Sequence, residues 1–156
     1  MARAVPLMNA PRIESYAATL IRPGGRIELA EFILEYDPPL VRLSLRRWGG
    51  TISRCAKDFF DALGEIRPEL EKEGILVHCY GGSRNVYPTT MQRTAGLGKQ
   101  AYKLAAGKPR EEVVAIFDYG RDLDPCPVRE QLEFYQSWCA GWKVPPAPRT
   151  GGDAVS

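Results

Sequence analysis

Cys79 and Arg84 are the first pair to weigh for chemistry. They flank Tyr80-Gly81-Gly82-Ser83, directly after the apolar run Ile75-Leu76-Val77-His78. A thiolate at the end of a buried strand can attack phosphorus, and a guanidinium beyond a Gly-rich turn can clamp the phosphoryl oxygens. Such a cradle needs consecutive backbone N–H groups around the phosphate, at the start of a helix. The residues after Arg84, Asn85-Val86-Tyr87-Pro88, start no helix. A lesser chemistry survives that defect. Gly81 and Gly82 can form a backbone anion nest, with Ser83, Arg84 and Lys99 supplying polar contacts to a small anion or nucleotide. The plainer alternative is a tight turn with Arg84 in solvent or paired to Asp118 or Asp122.

Other clusters are poorer. Asp118, Asp122 and Asp124 could hold a hard cation, but their spacing lacks the ligand pattern of a calcium loop. Capping of a helix explains Asp124 without a metal. Cys126 can lie at a helix N-terminus, which lowers a thiol pKa, but its only possible histidine is His78, far off in sequence. Cys55, Cys79, Cys126 and Cys139 form no C-x-x-C pair and read as structural thiols. No cofactor or metal signature emerges, and the chain reads as non-catalytic.

Charge distribution says more. From Gly74 to Arg110 there is no acidic residue, while Arg84, Arg93, Lys99, Lys103, Lys108 and Arg110 all fall there. Tyr80, Tyr87 and Tyr102 are interleaved with them. Tyr and Arg dominate protein-interface hot spots, and a local positive field favours an anionic partner. The net charge of +2 is too small to argue for nucleic acid. No apolar stretch reaches the roughly 18 residues of a membrane span, and the Pro-broken start is no secretory signal. The expected place is the cytoplasm.

The elements that must position these residues follow from periodicity. Residues 1–12 read as an arm and 144–156 as a disordered tail, leaving one domain over 13–143. Residues 15–22 and 26–36 are strands joined by Pro23-Gly24-Gly25, and 40–48 alternates as a third strand. Ile52, Cys55, Ala56, Phe59, Phe60, Leu63, Ile66 and Leu70 recur at helical spacing. That stripe predicts a helix capped by Thr51 or Ser53, kinked before Pro68 and ended by Gly74. A buried strand over 75–80 comes next, then a loop to about residue 98. Strands over 101–105 and 113–119 follow, with a helix over 111–117 as the alternative to the second. The last helix is opened by Pro125 or Pro127, with Val128, Leu132, Tyr135 and Cys139 on one side. The class is α+β: a single domain, mainly antiparallel sheet with two principal helices packed on one face.

Two resemblances attach to these residues. The segment from Cys79 to Arg84 resembles the phosphate loop of cysteine-dependent tyrosine phosphatases, although it is one residue shorter between Cys and Arg. That likeness implies a phosphatase-like enzyme only if the shortened loop can still cradle phosphate. A broader one starts from Leu63-Gly64-Glu65-Ile66-Arg67-Pro68-Glu69-Leu70-Glu71-Lys72-Glu73-Gly74. It continues through the run ending at Cys79 and through Gly82-Ser83-Arg84-Asn85-Val86-Tyr87-Pro88-Thr89-Thr90-Met91. With Ala101-Tyr102-Lys103-Leu104 and Ile116-Phe117-Asp118, this resembles small bacterial toxin-immunity proteins over residues 26–142. The resemblance implies a cytosolic, non-catalytic protein that blocks a cognate toxin by covering its active site or substrate path. Its docking contacts would be Tyr80, Arg84, Asn85, Tyr87, Met91 and Arg93.

Overall fold

The computed structural model describes residues 12–143. The arm expected before Arg12 and the tail expected at 144–156 lie outside the described residues. Alternation of apolar and polar residues builds a long antiparallel meander: β1 (Arg12–Ile21), β2 (Ile27–Asp37) and β3 (Leu40–Arg47). Leu20, Phe32, Leu34, Leu43 and Leu45 point inward and are fully buried.

A fourth strand, β4 (Gly50–Ala56), corrects the expectation of a helix starting near Thr51. Trp48-Gly49 makes a two-residue turn closed by the Arg47–Gly50 pair, and Gly49 supplies its positive φ of 92°. Residues 50–56 then pair with β3 throughout. Ile52 and Ala56, read as helix-face residues, are strand residues on the inner side of the sheet. The helix α1 (Phe59–Glu71) begins only after Asp58, whose side chain accepts the Asp61 N–H at 2.8 Å. Pro68, where a kink or restart was expected, sits exposed within the last turn of a helix that runs on to Glu71. Phe59, Leu63, Ile66 and Leu70 seal α1 onto the sheet.

The expected strand over 75–80 shrinks to β5 (Leu76–Val77), which pairs with the end of β1. The large sheet thus has the order β4-β3-β2-β1-β5. A 3-10 turn at Tyr80–Gly82 replaces the rest of the strand. A small antiparallel sheet follows, in the order β6-β7-β8, from β6 (Val86–Tyr87), β7 (Gln100–Lys103) and β8 (Val113–Ala115). Between β6 and β7 the expected plain loop contains a short helix, α2 (Thr90–Thr94), closed by a Thr89/Gln92 capping box. The final helix α3 (Val128–Lys143) presents Gln131 and Trp138 inward, while Leu132, expected on the buried side, is exposed. Phe117, just after β8, joins the two halves. Its ring lies 4.9 Å from Phe32, 5.6 Å from Tyr16 and 6.5 Å from Phe59. The result is one α+β domain with a curled antiparallel sheet and two long helices.

Candidate functional site

The Gly-rich turn is closed rather than open. Four consecutive N–H groups that an anion nest would need are already bonded. Gly81 donates to the Ile116 carbonyl, Gly82 to Cys79, Ser83 to Tyr80 and Arg84 to Asp124, at 2.7–3.0 Å. Both glycines are there because backbone and side chains crowd them. A Cβ on Gly81 would sit 2.7 Å from Leu63 Cδ2, and one on Gly82 would sit 2.7 Å from the Val77 carbonyl oxygen. Gly81, Gly82 and Ser83 are buried. Ser83 donates from its hydroxyl to Asn85 and accepts the Asp124 N–H at 2.8 Å. The nest expected from the sequence is therefore a structural turn, filled by the protein's own carbonyls.

Cys79 lies beneath it. The amides of Gly81 and Gly82 and the nearby Arg67 favour its thiolate, but burial outweighs them and pushes the thiol up to about 11. Arg84 does not face it as a clamp. Its guanidinium bonds Asp124 at 3.0 Å and Glu130 at 2.8 Å, so its partners differ from the expected Asp118 or Asp122. Nucleophile and clamp are not assembled. The Cys126 thiol is likewise raised by burial, and His78 packs edge-on against Tyr119 with ring centres 4.9 Å apart.

Four cations of the acid-free run, Arg84, Arg93, Lys99 and Lys103, are paired in space with acids from elsewhere. Arg93 reaches Asp61 at 2.7 Å and Asp58 at 3.4 Å. Lys99 projects toward β1 and β2, where Glu14 accepts at 3.0 Å and Tyr36 at 2.7 Å. It takes no part in the turn that carries Arg84. Lys103 bonds Asp122 at 2.6 Å and Glu112 at 3.1 Å, and Asp122 first, then Glu112, holds its ammonium above the usual lysine range. Tyr80 donates to the other Asp122 oxygen at 2.7 Å, an arrangement that raises its phenol rather than activating it. Gly120 makes room for that ring: a Cβ there would lie 1.9 Å from the Tyr80 hydroxyl. Asp122 and Asp124 are thus committed to cations of the chain. Among the described residues no group of metal-ligating side chains clusters.

One constellation escaped the sequence. Arg67, 3% exposed, extends from α1 beneath the turn. It donates to the Gly81 carbonyl at 3.1 Å, to Gln131 Oε1 at 2.6 Å and to the Cys126 carbonyl at 2.8 Å. The Gln131 amide donates in turn to the carbonyls of Gly81, Ser83 and Val86 at 2.8–3.1 Å. Glu71, one turn beyond Arg67, accepts the Val128 N–H at 2.9 Å and so caps α3. The available signal was the phase of Arg67. It falls four residues after Leu63 and three before Leu70, within the apolar stripe of α1.

Beside this latch runs a groove of about 360 Å³ between α1 and α3. Phe60, Asp61 and Glu65 form one wall, Val128 and Leu132 the other, with Arg67 and Gln131 also lining it. Two of the predicted site residues line it as well, Tyr87 and Arg93. Tyr87 stacks on Tyr135 at 3.9 Å, and the Arg93 guanidinium lies 5.0 Å over the Phe60 ring. Met91, on the same short helix as Arg93, is 73% exposed. The predicted site residues therefore divide. Tyr87 and Arg93 line the groove, and Met91 is exposed elsewhere on the short helix that carries Arg93. Tyr80, Gly81, Gly82, Ser83, Arg84 and Asn85 build the closed turn, and Lys99 lies apart. No helix among the described residues is long and apolar enough to cross a membrane. No family model matches the chain, and no curated protein matches it.

Proposed function

We propose that this protein is a non-catalytic binding protein of the immunity kind, which docks a protein partner, a cognate bacterial toxin, in the cytoplasm. The observation that carries the reading is the α1–α3 groove. Tyr87 and Arg93 line it, stacked aromatic faces and both signs of charge bound it, and Met91 stands exposed on the helix that carries Arg93. Aromatic and Arg anchors beside an exposed Met suit a protein hot spot. The four thiols are free, in keeping with a reducing compartment. The anion-binding alternative loses its support, since the N–H groups it needs are bonded internally.

The test is a binding titration against the partner identified by co-purification. Tyr87→Ala and Met91→Asp are expected to weaken binding at least tenfold, and Arg84→Ala to leave it nearly unchanged. Binding that survives the first two variants and is lost with the third would move the docking surface to the turn. Substrate turnover abolished by Cys79→Ser would replace the whole reading with an enzymatic one.

A further inference from the structure

Asp61, Glu65 and Glu69 follow one another at intervals of four on α1, so three carboxylates share one ridge of the helix. Like charges at that spacing destabilise a helix unless cations relieve them. The outer two are relieved. Asp61 pairs with Arg93 at 2.7 Å, and Glu69 with Arg54 at 3.3 Å and Lys72 at 3.5 Å. Glu65, between them, is exposed, and among the described residues its carboxylate has no hydrogen bond or ion pair. It also lines the α1–α3 groove. The two cations of that lining are engaged elsewhere. Arg93 is held by Asp61 and Asp58, and Arg67 by the Gly81 and Cys126 carbonyls and Gln131.

Gly64 stands beside Glu65 in the same lining. A glycine inside a helix is destabilising relative to alanine. The fold does not require this one: a Cβ at Gly64 would meet no atom within 4 Å, and its backbone is helical. Gly141, similarly unencumbered, lies in the last turn of α3, where helices fray. At Gly64 the missing Cβ leaves room for another chain to lie against the backbone of α1. Val128 and Leu132 bound that room from α3, and Leu132 is 39% exposed. Apolar walls that end at an unpaired carboxylate suit a long side chain with an apolar stem and a cationic head.

On the strength of the docking reading, we infer that the groove receives an arginine side chain of the partner. Its methylenes lie over Gly64, against Val128 and Leu132. Its guanidinium bonds Glu65 and Oδ2 of Asp61, the oxygen that Arg93 leaves unused. Arginine fits better than lysine, because its flat fork can bridge two carboxylates at once.

Two probes that differ only in the head test the fit. They are acetyl-arginine amide and the neutral acetyl-citrulline amide, titrated into the full chain and followed by amide NMR shifts. The arginine probe is expected to shift Gly64, Glu65, Val128 and Leu132 with a Kd of about 10 mM or tighter, about fivefold or more below that of citrulline. Glu65→Gln should abolish the difference. Against the co-purified partner, Glu65→Gln and Gly64→Ala are each expected to weaken binding about fivefold or more. Gly64→Ala should meanwhile raise the thermal midpoint by about 2–4 °C, so its loss of binding is no failure to fold. Citrulline that binds as well as arginine overturns the inference. So does a partner weakened by Tyr87→Ala but not by Glu65→Gln, an outcome that leaves the docking protein standing. A partner indifferent to Tyr87→Ala and Met91→Asp as well removes the docking reading with it. Shifts at Gly64 and Glu65 caused by Arg149→Ala in the free protein would give the groove to the chain's own tail and overturn the partner's arginine.

Discussion

The first half of the chain and the stretch from residue 76 to residue 127 are held together by different means. In the first half, long strands exchange backbone hydrogen bonds in unbroken register and bury an aliphatic and aromatic face against α1. In the second, strands of two to four residues cannot supply such ladders. Their carbonyls are instead gathered by side chains, above all Gln131 and Arg67. The contrast teaches where each region is vulnerable. A periodic ladder spreads its stabilisation over many residues, whereas a latch concentrates it in two.

The largest effect should come from the first region. Phe32→Ala removes a fully buried ring that touches Phe117, and is expected to cost about 3–5 kcal/mol in urea unfolding. Gln131→Leu should cost about 2 kcal/mol, because the buried carbonyls of Gly81, Ser83 and Val86 each lose an amide donor and Arg67 loses its side-chain acceptor. Arg67 still bonds Gly81, and the Val86 N–H still bonds Ser83. Its signature is local. Hydrogen exchange should accelerate around residues 80–87 while β1–β3 stay protected, and uniform acceleration would show that the two regions open as one. Cys79 reports the same distinction. With its thiol pushed up to about 11 from 9.0, its thiolate fraction at neutral pH is reduced about a hundredfold, and iodoacetamide labelling should be slower by at least that factor. Labelling as fast as a free thiol would mean that the second region opens without the first.

Two smaller effects sharpen the contrast further. Gly120→Ala should cost about 1 kcal/mol by displacing Tyr80, whose ring end can swing outward. In a Tyr80→Ala background the same change should be nearly neutral. The smallest concerns Glu28, whose carboxyl is held below the usual 4.5 by Arg47 first and Arg22 second. A depressed folded-state pKa contributes stability that is fully present above about pH 4.5 and is lost as the pH falls through the depressed value. Glu28→Gln should therefore flatten the acid limb of a stability–pH curve and lower the plateau above it.

Legibility in the sequence followed the same division. β1 to β3 announce themselves because alternation repeats over 8–11 residues. β4 was hidden: Ile52, Cys55, Ala56 and Phe59 happen to fall at intervals that a helix also uses, and only the Trp48-Gly49 turn decides between the two. Two-residue strands carry no period, so β5 was legible only as part of a longer apolar run over 75–80, and β6 could not be read. The acid-free run misled in a different way. Charge was counted along the chain, but Arg93, Lys99 and Lys103 are matched by Asp61, Glu14 and Asp122, which are distant in sequence and adjacent in space. Tyr87 and Arg93 could be singled out by residue type. Arg67 could have been found from its phase on α1, had a cation within an apolar stripe been treated as a signal.

The Arg67–Gln131 bond also orders events in time. It joins residues 64 apart, and the Glu71 cap on α3 joins residues 57 apart. Closing such long loops carries an entropic penalty that local hairpins largely avoid. The meander of β1 to β4 can form from neighbouring turns alone. The latch can close only when α1 is already docked and α3 has been brought back to it. Folding of this chain should therefore run from the hairpins toward the latch, with substitutions at Gln131 speeding unfolding while scarcely slowing folding.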